Sequence, residues 1–182
     1  MVGILKLKFS ILQLEVLRFF CLNSGDFFNL QRIADRIGVS PPGVAKAVKA
    51  LEKDGWITVV KDRESGRFQI GLDRENSKVI AYKRAENLKM LYEIGLVDCL
   101  YGLFPGATII LFGSYSFGED VKGSDVDMAI IGANEKKVDI LRFEQGLGRE
   151  ISLNFYNSLG KIDKNLRNNI LNGIVIKGSV DV

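Results

Sequence analysis

The sequence predicts an α+β chain of two domains, with helices and a β-hairpin in front and a sheet flanked by helices behind. Three observations carry this. Apolar residues recur at helical spacing from Ile11 to Leu51 and give way to two strand-like runs, Trp56–Val60 and Arg67–Leu72. A Gly113-Ser114 pair and an Asp125-Val126-Asp127 triplet punctuate two apolar runs further on. Between these parts lies a stretch at helical spacing, so the expected division is 1–75, a helical linker over 76–105, and 106–182.

Composition sets the outer bounds. A chain of 182 residues holds one sizeable domain or two small ones, and 47% hydrophobic with 26% charged residues is enough to build packed cores, which excludes wholesale disorder. The net charge of +3 is uneven: +4 over residues 1–78, balanced over 79–105, and −1 over 106–182. Nucleic-acid contact is therefore expected from the front half. Two cysteines and no histidine exclude a disulfide framework, a Cys/His zinc site and histidine-based catalysis. Cys21 and Cys99 fall within apolar helical patterns and read as small buried hydrophobes. No apolar run approaches the roughly 20 residues of a membrane span, and no cleavable signal pattern opens the chain, so no membrane partner and a cytoplasmic location are expected.

Val2 to Phe9 alternates loosely, as a short edge strand would. From Ser10, an N-cap candidate, Ile11, Leu14, Leu17 and Cys21 carry a first helix, stopped by Asn23-Ser24-Gly25-Asp26. Leu30, Ile33, Ala34 and Ile37 mark a second, with Gly38 where a C′ glycine is expected. Ser40 is placed to cap a third, whose Pro41-Pro42 fill the first turn and whose apolar face is Val44, Val48 and Leu51. This is a helix-turn-helix layout. The polar segment Lys61–Gly66 turns the chain between the two strands of the hairpin.

The order helix, helix, helix, hairpin, with Ala34, Gly38-Val39-Ser40, Lys46, Leu51-Glu52 and Gly55-Trp56-Ile57 at their spacing, resembles the winged helix-turn-helix domains of archaeal and bacterial transcription regulators. The resemblance implies double-stranded DNA as partner, with Ser40, Pro42, Gly43, Lys46 and Lys49 near the major groove and Arg63 and Arg67 on the wing against phosphate. The alternative is a solvated lysine face on a domain serving dimerisation or protein contact. Winged-helix proteins often dimerise, so homodimerisation stays open. Beyond the hairpin, Val79, Ile80, Tyr82, Ala85, Leu88, Leu91, Leu96 and Leu100 run through one or two helices as core or a dimer seam, ended by Pro105-Gly106.

The segment Ala107–Phe112, apolar apart from Thr108, reads as a strand buried on both faces. Gly113-Ser114 at its end offers close backbone approach, free N–H groups at a helical turn and a hydroxyl, a combination suited to phosphate. After a loop over Glu119–Gly123, Asp125 opens a second strand. Residues two apart share a strand face, so Asp125 and Asp127 point one way while Val126 and Met128 point into packing. Carboxylates about 5 Å apart repel by roughly 3 kcal/mol at an effective dielectric near 20. A divalent cation removes that cost, and oxygen ligands beside a phosphate suit magnesium. Lys137–Leu147 reads as a covering helix, Glu150–Phe155 as a third strand, Asn165–Leu171 as a helix and Ile174–Ile176 as a last strand.

The pattern G-S-x-x-x-G-x-x-x-x-x-S-D-x-D between two apolar runs resembles the DNA polymerase beta nucleotidyltransferase superfamily, in particular its small minimal-nucleotidyltransferase branch. The resemblance implies a mixed β-sheet flanked by helices, a nucleoside triphosphate held by Gly113, Ser114 and Ser124, and Mg2+ (or Mn2+) on Asp125 and Asp127, the catalytic pair. It also implies transfer of a nucleoside monophosphate to a hydroxyl acceptor. That acceptor includes the case of a partner protein, because relatives of this branch include antitoxins that modify a toxin. ATP is among the expected nucleotides.

Two features depart from the family pattern. Its third acidic residue, on the strand after the covering helix, acts as base toward the acceptor hydroxyl; here the segment is Ile151-Ser152-Leu153-Asn154, and Ser152 stands at that position. Glu150 shares its strand parity. The arginines that relatives carry inside the G-S-x-x-x-G loop are replaced by Tyr115, Ser116 and Phe117, leaving Lys122 as a solvated loop residue or a phosphate contact. Two readings follow: a nucleotidyltransferase joined to a DNA-binding domain, or a DNA-binding regulator whose second domain binds nucleotide without turnover.

Overall fold

The computed structural model describes residues 8–63 and 66–180, so residues 2–7 of the edge strand expected over Val2–Phe9 and the tip of the wing at 64–65 lie outside the described residues, and Lys8 and Phe9 form a bend. The chain divides into two compact units at Val79/Ile80.

In the first unit, α1 (Ile11–Leu22) begins with a reciprocal capping box: Gln13 N donates to Ser10 Oγ at 3.3 Å and Ser10 N donates to Gln13 Oε1 at 2.7 Å. Asn29 caps α2 (Leu30–Ile37) through Arg32 N, and Gly38 closes it in the left-handed conformation. α3 (Pro41–Lys53) carries proline in its first turn, where missing donors cost little; Ser40 occupies the cap position but its side chain makes no capping bond. The wing is an antiparallel pair, β1 (Ile57–Lys61) and β2 (Phe68–Leu72), with Ile57 opposite Leu72 and Lys61 opposite Phe68. Phe28 adds a third strand of one residue by exchanging both backbone hydrogen bonds with Ile70. Val16, Leu17, Phe20, Ile33, Val44, Leu51 and Ile70 are fully buried between these elements. Each such side chain contributes about 1.5–3 kcal/mol on burial.

The connection expected over 76–105 forms two helices, α4 (Ser77–Glu93) and α5 (Leu96–Leu103). The buried face of α4 differs from the apolar stripe read in the sequence. Ala85 is exposed, and the inward positions are Val79, Lys83, Glu86, Asn87, Met90 and Leu91. Three of these are polar, which is why apolar spacing misplaced the face.

A mixed four-stranded sheet forms the centre of the second unit. Its strands are β3 (Thr108–Phe112), β4 (Val126–Ile131), β5 (Ile151–Tyr156) and β6 (Ile174–Lys177), ordered β5-β4-β3-β6. β3 is antiparallel to β4 and β6, and β4 is parallel to β5. The short α6 (Gly113–Phe117) follows β3, α7 (Leu141–Leu147) links β4 to β5, and a 3-10 turn (Leu159–Lys161) and α8 (Lys164–Leu171) precede β6. On one sheet face Ile110, Phe112 and Ala129 pack against Ile162 and Ile170. On the other, Val126, Met128 and Ile130 are buried, and the Phe155 ring meets Phe104 at 5.4 Å.

Two expectations are corrected here. The strand expected to open at Asp125 begins one residue later, at Val126. The helix expected from Lys137 begins at Leu141. Ile140 holds its cap position and offers no side-chain acceptor, and the helix buries only Phe143 and Leu147, so nothing anchors a turn further back.

Candidate functional site

β3 delivers Gly113 to the edge of the carboxylate pair. Phe112 lies opposite Asp127 in the β3–β4 register, and Gly113 then turns with φ +73°. A Cβ added there would stand 2.7 Å from Asp127 Oδ2, so only glycine permits this turn against the carboxylate. Ser114 is exposed in the first turn of α6, and Ser116 Oγ donates to Gly113 O at 2.8 Å, fastening that turn. Gly118, the second glycine of the motif, closes α6 with φ +78°; a Cβ there would meet Ile80 O of α4 at 2.5 Å. The motif spacing is therefore partly a packing requirement.

Asp127 is half-buried and Asp125 exposed. Burial, and then the charge of Asp125, raise the Asp127 carboxyl above its ordinary value. Tyr156 is raised likewise, by burial and then by Asp127. The parallel register pairs Asp127 with Ser152 and Ala129 with Asn154, so the position beside Asp127 on β5 carries a hydroxyl. Glu150 is exposed just before β5; its carbonyl accepts from Val126 N at 2.9 Å. Glu150 and Asp125 line an open cleft of about 570 Å³ together with Gly123, Glu144 and Arg149. Ser124 is engaged locally, its hydroxyl accepting from Val121 N at 3.0 Å.

Sequence reasoning missed a buried polar hub behind this site. Asp120, fully buried, pairs with Lys83 of α4 and with Arg149 Nη2 at 2.7 Å, and accepts from Asn87 Nδ2 at 2.7 Å. Asn87 also donates to Tyr115 O at 2.9 Å, and the Arg149 guanidinium lies 5.5 Å from the Tyr115 ring. α4, the loop after α6 and the segment just before β5 thus share one carboxylate, and Asn87 joins α6 to them through Tyr115 O. Lysine four residues before asparagine on a helix was the available signal, because that spacing puts both on one face.

In the first unit, Pro42, Lys46 and Lys49 are exposed along α3, opposite the buried Val44, Ala47, Val48 and Leu51. Ser40 is exposed at the helix start; Gly43 is half-buried and turned toward α1, where a Cβ would lie 3.5 Å from a Leu12 methyl. Arg63 and Arg67 are exposed on the wing.

The models of two known domain classes match the two parts of the chain. The model of the MarR family matches residues 7–67, and that of the polymerase beta nucleotidyltransferases matches residues 106–180. The chain thus carries a MarR-type winged helix-turn-helix domain followed by a polymerase beta-type nucleotidyltransferase domain. Similar solved structures include a cysteine-to-serine mutant of ZitR from Lactococcus lactis, 16% identical, covering 57% of this chain and 68% of that one with a TM-score of 0.44. Wild-type ZitR in complex with DNA is also 16% identical, with the same coverage and a TM-score of 0.40. A MepR–DNA complex from S. aureus is 20% identical, covering 52% of this chain and 80% of that one, with a TM-score of 0.38. No curated protein matches the chain. Among the described residues, no helix is long and apolar enough to cross a membrane.

Polymerase beta-type nucleotidyltransferase domains generally use a divalent metal ion. The residues here fit such an ion with two carboxylates: Asp127 is destabilised as an anion by burial and by Asp125, an arrangement a cation relieves. No third His, Cys, Asp or Glu joins them among the described residues. Magnesium is commonly held by one or two carboxylates plus substrate phosphates, and a pair of carboxylates is within that range.

Proposed function

We propose that the second unit binds a nucleoside triphosphate with Mg2+ or Mn2+ and transfers its nucleoside monophosphate to a hydroxyl acceptor. The observation that carries this is the apposition of the Gly113 turn to Asp127, which brings backbone donors and a carboxylate to one point. Gly113 and Ser114 hold the triphosphate, Asp125 and Asp127 hold the cation, and Ser124 supports the turn that leads into the pair. The cation supplies neutralisation of phosphoryl charge when bound. The acceptor oxygen forms a bond to the α-phosphorus, the bond to the β-phosphate bridging oxygen breaks, and pyrophosphate leaves. The hydroxyl proton passes to water, because Ser152 and Asn154 on the facing strand are not bases. A partner protein supplying the hydroxyl suits this reading, and ATP is the first nucleotide to test.

The register of Ser152 beside Asp127 favours a second reading, binding without turnover. Incubation with each labelled nucleoside triphosphate, Mg2+ and candidate acceptors separates them. Label transfer that disappears in Asp127→Asn supports catalysis. Binding without transfer in the wild type, with transfer gained by Ser152→Asp, supports the second reading.

The first unit binds double-stranded DNA, as a homodimer, through α3. Pro42, Lys46 and Lys49 enter the major groove with Ser40 at the helix start, Gly43 lets α3 lie close to α1, and Arg63 and Arg67 meet phosphate. The exposed lysine stripe opposite the buried face supports this reading. Gel-shift affinity unchanged in Lys46→Ala/Lys49→Ala would remove α3 as the reading helix.

A further inference from the structure

We infer that Arg149 is the positioning residue for Asp125, its guanidinium holding the peptide bond before it while the adjacent Glu150 carbonyl holds the one after; this rests on the metal-nucleotide reading above. Asp125 ends a surface turn rather than lying within a strand, with Lys122 and Gly123 exposed before it. Left to itself, such a turn would not fix a carboxylate well enough to hold a cation. The turn closes on itself through Ser124 N, which donates to Val121 O at 3.0 Å, and through the Ser124 hydroxyl.

Arg149 fastens it from behind. Its Nη1 donates to Val121 O and, at 3.2 Å, to Ser124 O, the carbonyl of the Ser124–Asp125 peptide bond. On the other side of Asp125, Val126 N donates to the carbonyl of Glu150 at 2.9 Å. The consecutive residues 149 and 150 therefore hold both peptide bonds that flank Asp125. The guanidinium is itself fixed, its Nη2 2.7 Å from Asp120, which Lys83 and Asn87 tie to α4.

Only arginine meets this set of demands. A planar fork of five donors reaches two carbonyls and a carboxylate at once, whereas a lysine ammonium is a single compact charge. With its side chain 2% exposed and its guanidinium engaged by Asp120, Val121 O and Ser124 O, Arg149 acts on the site through Asp125. Groups that orient a metal ligand from the outer shell typically change metal affinity 10–100-fold.

The test is Mn2+ titration of the full chain by electron paramagnetic resonance, without nucleotide, for the wild type, Arg149→Lys, Ser124→Ala and Asp127→Asn, with circular dichroism confirming the fold. Arg149→Lys keeps the charge beside Asp120 and loses the fork. The expected result is Mn2+ binding in the wild type, loss in Asp127→Asn, about tenfold weakening in Arg149→Lys and about threefold in Ser124→Ala, the size of one neutral hydrogen bond. Wild-type affinity in folded Arg149→Lys overturns the positioning role and leaves the metal site standing. If Arg149→Lys does not fold, wild-type affinity in folded Arg149→Gln, which also loses the fork to the Val121 and Ser124 carbonyls, overturns it instead. A wild type with no Asp127-dependent Mn2+ binding overturns the metal-nucleotide reading and the positioning role with it.

Discussion

Substituting Gly113 by alanine perturbs the centre of the site in two separable ways. Alanine in the left-handed region costs about 1–2 kcal/mol on its own. The new Cβ also lies 2.7 Å from Asp127 Oδ2, well inside ordinary contact, so the carboxylate must leave its rotamer at about 0.5–1.5 kcal/mol more. Gly113→Ala alone should therefore lower stability by about 2–3 kcal/mol. In an Asp127→Ala background the remaining Asp127 Cβ is 3.6 Å away, an ordinary contact, so only the backbone cost of about 1–2 kcal/mol should persist. The two changes should couple by about 1 kcal/mol, beyond the roughly 0.3–0.5 kcal/mol scatter of independent sites. Urea denaturation of the four members of the cycle, followed by far-ultraviolet circular dichroism, measures this. Equal costs of Gly113→Ala in both backgrounds would refute the apposition of the turn to the carboxylate.

Other outcomes follow from the same geometry. Because the folded-state pKa of Asp127 is raised, the folded protein binds this proton more tightly than the unfolded chain, and stability falls as pH rises from the ordinary carboxylate value through the raised one. Asp127→Asn should then melt higher than the wild type at pH 7, with the difference closing near about pH 3.5 and narrowing when Mg2+ is added; a pH-independent difference would contradict the cause given. Lys83→Met leaves Asp120 short of one cation and should cost about 3–5 kcal/mol in urea denaturation, against less than about 1 for a surface pair. Gly118→Ala, strained in φ and pressed on Ile80 O, should cost at least about 1–2 kcal/mol by the same measurement. If α3 meets DNA phosphates, Lys46→Ala/Lys49→Ala should lower the salt slope of binding by about 2, measured by fluorescence anisotropy at several salt concentrations.

The fold was legible where polarity and period agree. Ser10 and Gly38 mark helix ends by chemistry that needs no tertiary partner, and the Gly113-Ser114 and Asp125-x-Asp127 signals punctuate apolar runs that form strands. The place of Ser152 was legible too: the β4–β5 register sets it beside Asp127, as its parity implies. What stayed hidden is the support behind the site. Lys83, Asp120 and Arg149 look like solvated charges in the chain, and their burial is possible only because they neutralise one another across residues far apart in sequence. The same burial of polar groups disguised the inner face of α4, where the apolar stripe pointed to Ala85 and the packing uses Lys83 and Asn87. Residues 133–140 carry helix-favouring charges, yet the helix starts only at Leu141, because burial at Phe143 and Leu147 rather than propensity decides it.

The measurement closest to the central claim is equilibrium binding of each nucleoside triphosphate to the full chain, with and without Mg2+, in the wild type and in Asp127→Asn. The geometry of Gly113, Asp125 and Asp127 predicts that at least one nucleotide binds, that Mg2+ is required, and that Asp127→Asn abolishes the effect of Mg2+. Binding that is indifferent to both Mg2+ and Asp127, or the absence of binding for all of them, would contradict it.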